Sequence, residues 1–491
     1  MIVVLRKKEK GWITMGLFKD NFTLLKKASE PLYKTPKSVQ QTIEIMKISE
    51  CGIFEVASGK YSKTYRFSDV NYATRTENEQ ESFFQRYCKC LNSFDCTFKI
   101  TVNNKNKDME LLKKDVMLSY EQDGFDKMRK SYNNIIEEKI LEGRQGIEQE
   151  RYITISIERK NFEEAKAQFT TIENSLFKNF AELGSKLIPI SGNERLKILH
   201  DYYRLGKEEE FDFDIKEGKK TGTDFRNDIC NSKLKFYQDY YEDESKVCRA
   251  IYIKKYPTYL SDRFFTELTF LPIHSITSVD VVPVPKDMTM RILQKKYLGI
   301  ESNIIKQQQT RNKNNDFSSE ISYTTRRQKA DIEDIMNNVR ENDESLFFVG
   351  VTMVVMAENI EELDSICESI DSVARGTGCS VDICQYKQRE ALNTVLPIGV
   401  RQIETMRTML TQSLAVLMPF NVQEICDKSG IYYGVNQISK NIIVGNRKKL
   451  LNGNGFIFGV SGAGKSFQAK MEMGSVLLST KDNVICVDPM G

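Results

Sequence analysis

The stretch "RYITISIERKNFEEAKAQFTTIENSLFKNFAELGSKLIPIS", Arg151 to Ser191, reads as strand, helix, strand. Phe162, Ala165, Phe169, Ile172 and Leu176 fall at alternating steps of three and four, so one helical face is apolar. Asn161 with Glu164 forms a capping-box-like start to that helix. Nearly two hundred residues later, "LFFVGVTMVVMAENIEELDSICESIDSVARGTGCSVDICQ" (Leu346 to Gln385) repeats the plan, with Ile360, Leu363, Ile366, Ile370 and Val373 as the stripe and Asn359 with Glu362 as the cap. Each copy is preceded by a strand and a long polar, helix-favouring excursion. The first strand is "TFKITV" (Thr97 to Val102), which alternates apolar and polar side chains; the second is "VDVVPVP" (Val279 to Pro285), followed by an excursion containing "NIIKQQQTRNKNNDFSSE". "KDM" recurs after the first strand of each copy, at Lys107 and Lys286. The pattern predicts two related α/β halves, at about 97–206 and 279–399, each a small sheet with helices packed on it. The alternative, that α/β domains share such patterns without common descent, stays open.

Between the halves, "KEGKKTGTDFRND" (Lys216 to Asp228) is polar and turn-rich and is expected to be a surface loop. Its Gly218-Lys219 pair has no apolar strand leading into it and carries no function. "RQIETMRTMLTQSLAVL" (Arg401 to Leu417) has helical spacing, broken at Pro419. Beyond it the texture changes to short strands with turns. The expected organisation is an N-terminal tail over 1–36, a domain over 37–418 containing both halves, and the beginning of a second, incomplete domain over 419–491.

Composition removes several classes of function. Lys plus Arg (71) nearly cancels Asp plus Glu (68), so no global field steers the protein to nucleic acid. With only His200 and His274, a histidine-based metal centre or catalytic triad is excluded. The 11 cysteines are scattered; Cys88, Cys90 and Cys96 lie close together without a nearby His or paired CxxC spacing, which fits buried thiols in a reducing compartment better than a zinc site. The opening "MIVVLRKKEKGWIT" places its apolar run before its charges, the reverse of a signal peptide, and Met15 offers a second start. The most apolar run elsewhere, Leu346 to Ala357, is short of the ~20 residues that span a bilayer. A cytoplasmic location without a membrane span of its own is expected.

One motif carries chemistry. Gly459-Val460-Ser461-Gly462-Ala463-Gly464-Lys465-Ser466 satisfies GxxxxGK[ST] in full. "FIF" (Phe456 to Phe458) reads as a short buried strand before it and Ser466 to Leu478 as a helix after it. Glycines at 459, 462 and 464 let backbone N–H groups turn inward around phosphates, where a helix N-terminus adds its positive end. Lys465 is the candidate catalytic residue, neutralising the β and γ phosphates of ATP; Ser466 is the candidate Mg²⁺ ligand, and Ser461 an extra donor. Hydrolysis also needs an acid ending a second apolar strand. "NVICVDPMG" ends its strand in Asp488, but it directly follows the P-loop helix, where these folds place the next sheet strand, well before the metal-anchoring one. Nucleotide binding is therefore expected of this polypeptide, and hydrolysis by it alone is not.

With "YYGVNQISKNIIVGNRKKLLNGNGFIFGVSGAGKSF" and "VICVDPMG" read together, the chain resembles the conjugative-transfer ATPases of type IV secretion systems, the TraC/TraE or VirB-four class. "KSVQQTIEI", "GIFEVASGKYSKTYRFSDVNYATRTENEQ" and "RYCKCLNSFD" look like the N-terminal domain of versions on Gram-positive mobile elements, so the likeness covers most of Lys37 to Gly491. The resemblance implies a RecA-like motor of the HerA/FtsK superfamily, hexameric when full length and held at the cytoplasmic face of a secretion channel. Its implied partners are the other channel subunits and, indirectly, the coupling protein and relaxase-bound DNA. In that family the metal-anchoring acids and the inter-subunit arginine come later than the strand matching "VICVD". Two alternatives remain at this level: a non-catalytic assembly subunit, and a HerA/FtsK-like DNA translocase outside secretion, against which the repeated halves argue.

Overall fold

The computed structural model describes Pro36 and residues 38–487, apart from 107–112, 115, 143–146, 205–206, 208–209, 231–232, 245, 258–259, 261–262, 314–322, 342 and 428. The N-terminal tail through residue 35, Lys107 and Asp488 lie outside the described residues. The chain is mixed α/β, built on one continuous antiparallel sheet of 13 strands.

Two copies of one topology make that sheet. The first runs β1 (Lys47–Ile48), β2 (Ile53–Ala57), β3 (Lys60–Phe67), α1 (Glu77–Asn92), β4 (Thr97–Asn106), α2 (Asp126–Glu142), β5 (Ile147–Glu158), α3 (Phe162–Leu183), β6 (Leu187–Pro189) and α4 (Gly192–Tyr203). After α5 (Ile215–Thr221), α6 (Arg226–Ile229) and β7 (Leu234–Phe236), the second copy follows. It comprises β8 (Tyr241–Asp243), β9 (Lys246–Lys255), α7 (Arg263–Thr269), β10 (Ser275–Val284), α8 (Lys286–Lys313), α9 (Tyr323–Glu341), β11 (Leu346–Ala357), α10 (Ile360–Gly376), β12 (Ser380–Ile383) and α11 (Gln388–Val395). The strand order is β6-β3-β5-β4 in one copy and β12-β9-β11-β10 in the other, each the order of a split β-α-β-β-α-β unit. The copies are joined by pairing β4 to β10, from Phe98 opposite Val281 to Asn104 opposite Ser275. The repeat is thus longer than the sequence pattern reveals, taking in β3 and α1 before Thr97 and β9 and α7 before Val279. The halves share one sheet, where the sequence reading gave each its own.

Local chemistry explains the elements. Asn161 Oδ1 accepts from Glu164 N at 2.9 Å while Glu164 Oε1 accepts from Asn161 Nδ2 at 2.8 Å, and α3 ends at Gly184 with φ 78°. Asn359 Oδ1 accepts from Glu362 N at 2.9 Å at the start of α10. The stripes Ala165-Phe169-Leu176 and Leu363-Ile370-Ala374 are buried against one sheet face together with Phe83 and Tyr87 of α1 and Phe264 and Phe265 of α7. Each such large apolar side chain contributes roughly 1.5–3 kcal/mol by leaving water. β11, the run "LFFVGVTMVVMA", is almost wholly buried because it is central and covered on both faces, which is why it reads as continuous rather than alternating.

The other sheet face carries polar side chains, and a strap after α11 covers them. Ser62 Oγ donates to Ile398 O at 2.7 Å, Thr64 Oγ1 to Pro397 O at 2.9 Å, and Ser156 Oγ to Gly399 O at 3.1 Å. Lys99 Nζ donates to the carbonyls of Thr394, Leu396 and Val400 and pairs with Asp280 at 3.3 Å, and Arg401 reaches the same carboxylate at 3.1 Å. Arg195 is fully buried and, among the described residues, has no carboxylate partner; Gly52 O, Ser62 O, Ser62 Oγ and Pro397 O accept from it. Burying such groups is tolerable only because they are hydrogen-bonded. Gly399, with φ 80°, lets the strap lie flat, since a Cβ there would stand 2.4 Å from Ser156 Oγ.

Two expectations are corrected. Lys216 to Asp228 is not a loop throughout: it holds most of α5 and α6, because Asp214 Oδ1 accepts from Lys216 N (2.7 Å) and Glu217 N (3.3 Å) and buried Ile215 anchors the turn. Arg401 to Leu417 is not one helix. Residues 401–406 belong to the strap, Arg407–Leu410 forms β13, and only Thr411–Ala415 forms a helix, α12. The free edge of β11 wins this segment, pairing Arg407 to Val349 through Leu410 to Leu346.

Past Pro419 the chain is pinned before it leaves the sheet. Phe420 is 1% exposed, Arg151 Nε donates to Pro419 O at 2.7 Å, and Asp69 accepts from Asn421 N (2.8 Å) and Val422 N (3.3 Å). The segment beyond forms a hairpin of β14 (Ile431–Val435) and β15 (Ile442–Gly445), then α13 (Lys465–Ser479). Ile442 and Val444 pack on Tyr132, Ile136 and Ile140 of α2.

Candidate nucleotide-binding site

α13 begins at Lys465, and Gly464 precedes it in the left-handed conformation, φ 83°, as does Gly462 with φ 79°. A Cβ at either position would meet nothing within 4 Å, so glycine is required here by backbone conformation and not by space. Gly459 is different: a Cβ there would crowd the Lys465 stem at 3.2 Å and Ala463 Cβ at 3.4 Å. The absent side chain lets Lys465 fold back over the loop, where its Nζ donates to Val460 O at 2.8 Å. Ala463 N donates to the same carbonyl at 3.2 Å and closes the turn. Val460, Ser461, Gly462, Ala463, Gly464 and Ser466 are exposed, so the loop backbone and the first turn of α13 face solvent. The free N–H groups of a helix's first turn and its dipole make this end suited to an anion. The eight sequence-predicted residues are therefore contiguous around one helix start. Ser466 lies in that first turn and is exposed.

The helix is held from residues far away in sequence. Tyr433 of β14 donates through its hydroxyl to Glu472 at 3.1 Å, and Arg447 pairs with Glu472 at 2.7 Å. Arg129 of α2 donates through Nε to Leu478 O at 3.3 Å, tying down the C-terminus of α13. Its guanidinium also binds Asp123 and Asp126, at 2.6 and 2.9 Å, and holds the Asp123 carboxyl well below the usual carboxylate range. Burial pushes the Tyr433 phenol up. Arg129 was beyond sequence reasoning, since 349 residues separate it from Leu478 and no motif links them.

The surroundings of the loop differ from expectation. Phe456 to Phe458 form no strand and are not buried: Phe456 is 81% and Phe458 87% exposed, their rings 5.8 Å apart. Ile485 and Val487, in the expected next strand, are 89% and 86% exposed. A parallel strand is stable only with neighbours and helices on both faces, and among the described residues neither segment has a strand beside it. Among the described residues, the glycine loop and its helix stand without a parallel sheet behind them.

Among the described residues, no group of three or more His, Cys, Asp or Glu side chains is arranged to hold a metal. Cys88, Cys90 and Cys96 are half-buried or buried, and burial pushes their thiols up to about 12. No helix among the described residues is long and apolar enough to cross a membrane. Comparison with models of protein families and with curated proteins found no match.

Proposed function

We propose that this protein is the ATP-binding component of a conjugative type IV secretion system, with residues 419–491 contributing the phosphate-binding part of a RecA-like motor. The observation that carries the nucleotide reading is the Gly459–Ser466 loop: two left-handed glycines, a third that clears the path of Lys465, and an exposed helix start. The loop N–H groups and the α13 dipole would hold the phosphates, Lys465 would turn from Val460 O to the β and γ phosphates, and Ser466 would ligate Mg²⁺. Magnesium there would neutralise phosphate charge. The sequence resemblance supports the secretion context, a cytoplasmic position against the channel, and channel subunits, coupling protein and relaxase-bound DNA as partners.

Calorimetric titration of the 491-residue protein with ATP and Mg²⁺ tests the first part. A charge-assisted hydrogen bond contributes about 1.5–3 kcal/mol, so Lys465→Ala should bind roughly 10- to 150-fold more weakly. Equal binding by both proteins would remove the cradle reading. The secretion context is tested separately in donor cells. Lys465→Ala in the chromosomal or plasmid locus should abolish DNA transfer, and a tagged chain should recover channel subunits. Normal transfer by the variant would favour a non-catalytic assembly role.

A further inference from the structure

The sheet forks at the edge of β11. β9 pairs with β11 from Val247 opposite Ala357 to Tyr252 opposite Thr352, then continues against β12, while β13 takes up the same edge of β11 only from Arg407 opposite Val349. A cleft of about 410 Å³ opens between the two branches, within the ~300–1,000 Å³ of small-ligand sites. Gly350 lines it, and the Arg401 guanidinium fills the space a side chain there would take, 2.2 Å from an added Cβ.

The charges in this cleft are unbalanced in a specific way. Lys254 and Asp382 neutralise each other at 2.6 Å. Arg407, half-buried at the head of β13, lies over the Tyr256 ring at 5.0 Å and donates through Nη1 to Tyr256 O at 3.2 Å. Unlike Arg151, Arg249 and Arg401, it has no carboxylate within ion-pair distance among the described residues; Arg195 and Arg204 share that lack, but their guanidiniums are taken up by backbone carbonyls away from this cleft. Tyr256, nine-tenths buried, contributes its ring to the same lining, while its hydroxyl oxygen is closed off from solvent. A half-buried guanidinium without a counter-ion, set on an aromatic ring in an open cleft, is the arrangement that an oxyanion completes.

We propose that this fork binds a carboxylate-bearing ligand, with Arg407 as its counter-ion and Tyr256 as its platform. A carboxylate fits better than a phosphate dianion because Arg407 is the one half-buried uncompensated cation of the lining, Lys387 being exposed to solvent, and Glu404 lines the same cleft. The carboxylate belongs either to a small organic acid or to the last residue of an extended peptide, for which the β11-facing edge of β9 beyond Tyr252 has no strand beside it among the described residues.

Saturation-transfer NMR with the full chain tests this, using N-acetylphenylalanine, N-acetylphenylalanine amide, and a tetrapeptide ending in phenylalanine with a free or an amidated terminus. The free acids should bind at least about tenfold more tightly than the amides, and Arg407→Gln should erase the preference. Glu404→Gln, a change at the cleft lining, should tighten the acids about threefold and leave the amides unchanged. A tetrapeptide acid tenfold tighter than N-acetylphenylalanine assigns the site to chain termini; equal affinities assign it to small acids. Equal binding of acid and amide by the unmodified protein, persistence of the preference in Arg407→Gln, or tighter binding of inorganic phosphate than of the acids would each overturn the proposal. Should Arg407→Gln fail to fold, the Glu404→Gln arm decides, and an unchanged or weaker acid affinity there counts against it.

Discussion

Replacing Phe420 by alanine measures how firmly the end of the sheet holds the segment that carries the Gly459–Ser466 loop. The ring is 1% exposed and meets Phe67 at 5.6 Å, Phe83 at 5.5 Å and Tyr87 at 5.8 Å, all edge to face. Truncating a buried phenylalanine costs about 3–5 kcal/mol through lost transfer energy and the cavity left behind. Three favourable aromatic contacts, each worth about 0.5–1.5 kcal/mol beyond area, place this case toward the upper end. That is a third or more of the ~5–15 kcal/mol by which domains are stable. Urea unfolding followed by far-ultraviolet circular dichroism should show an earlier midpoint at unchanged slope. Phe458→Ala is the internal control: at 87% exposure, its effect should stay within about 0.5 kcal/mol. A Phe420→Ala loss below about 1 kcal/mol, or equal losses for the two variants, would show that Pro419–Val422 is not seated on this core.

Other consequences follow from single sites. Asp243 is buried with one carboxylate oxygen unpartnered, and burial pushes its carboxyl up to about 8. Its native pKa being raised, the folded chain keeps this proton while the unfolded chain loses it from about pH 4, so stability falls as pH rises from about 4 to 8. Asp243→Asn should be more stable than the unmodified protein at pH 8 by a few kcal/mol and equal to it near pH 4, read as denaturation midpoints. Gly464→Ala places a side chain at φ 83° and should cost about 1–2 kcal/mol of loop conformation while weakening ATP about as much as Lys465→Ala; unimpaired ATP titration would argue against the cradle. Gly350→Ala drives a methyl into the Arg401 guanidinium and should cost about 1–3 kcal/mol, visible as a lowered melting temperature.

The sequence made some of this legible and hid the rest for physical reasons. The α3 and α10 stripes and their asparagine caps could be read because amphipathic helices and caps are local patterns. The glycine turn before α13 could be read because Gly462 and Gly464 answer to backbone geometry within eight residues. β13 could not: "RTML" has no strand signature of its own and is extended because β11 offers it an edge more than fifty residues earlier. α5 could not be read because its stabilising groups, Asp214 and Ile215, stand just before the polar stretch that suggests a loop. The burial expected for Phe456 to Phe458 depended on neighbouring strands, which local sequence does not supply. The polar sheet face was invisible for a related reason, since Ser62, Thr64 and Ser156 look solvent-facing until the carbonyls near Pro397 are placed over them.

The antiparallel union of β4 with β10 also sets mechanics. α2 enters the chain after β4 and α8 directly after β10, and because these neighbours run oppositely, the two excursions leave from opposite ends of the sheet. At one end Arg129 holds the close of α13 and Tyr132 packs on the β14–β15 hairpin; the other carries the α8–α9 arm, whose first helix has 28 residues and extends about 42 Å. A load passed between the two excursions therefore crosses the β4–β10 pairing that joins the copies.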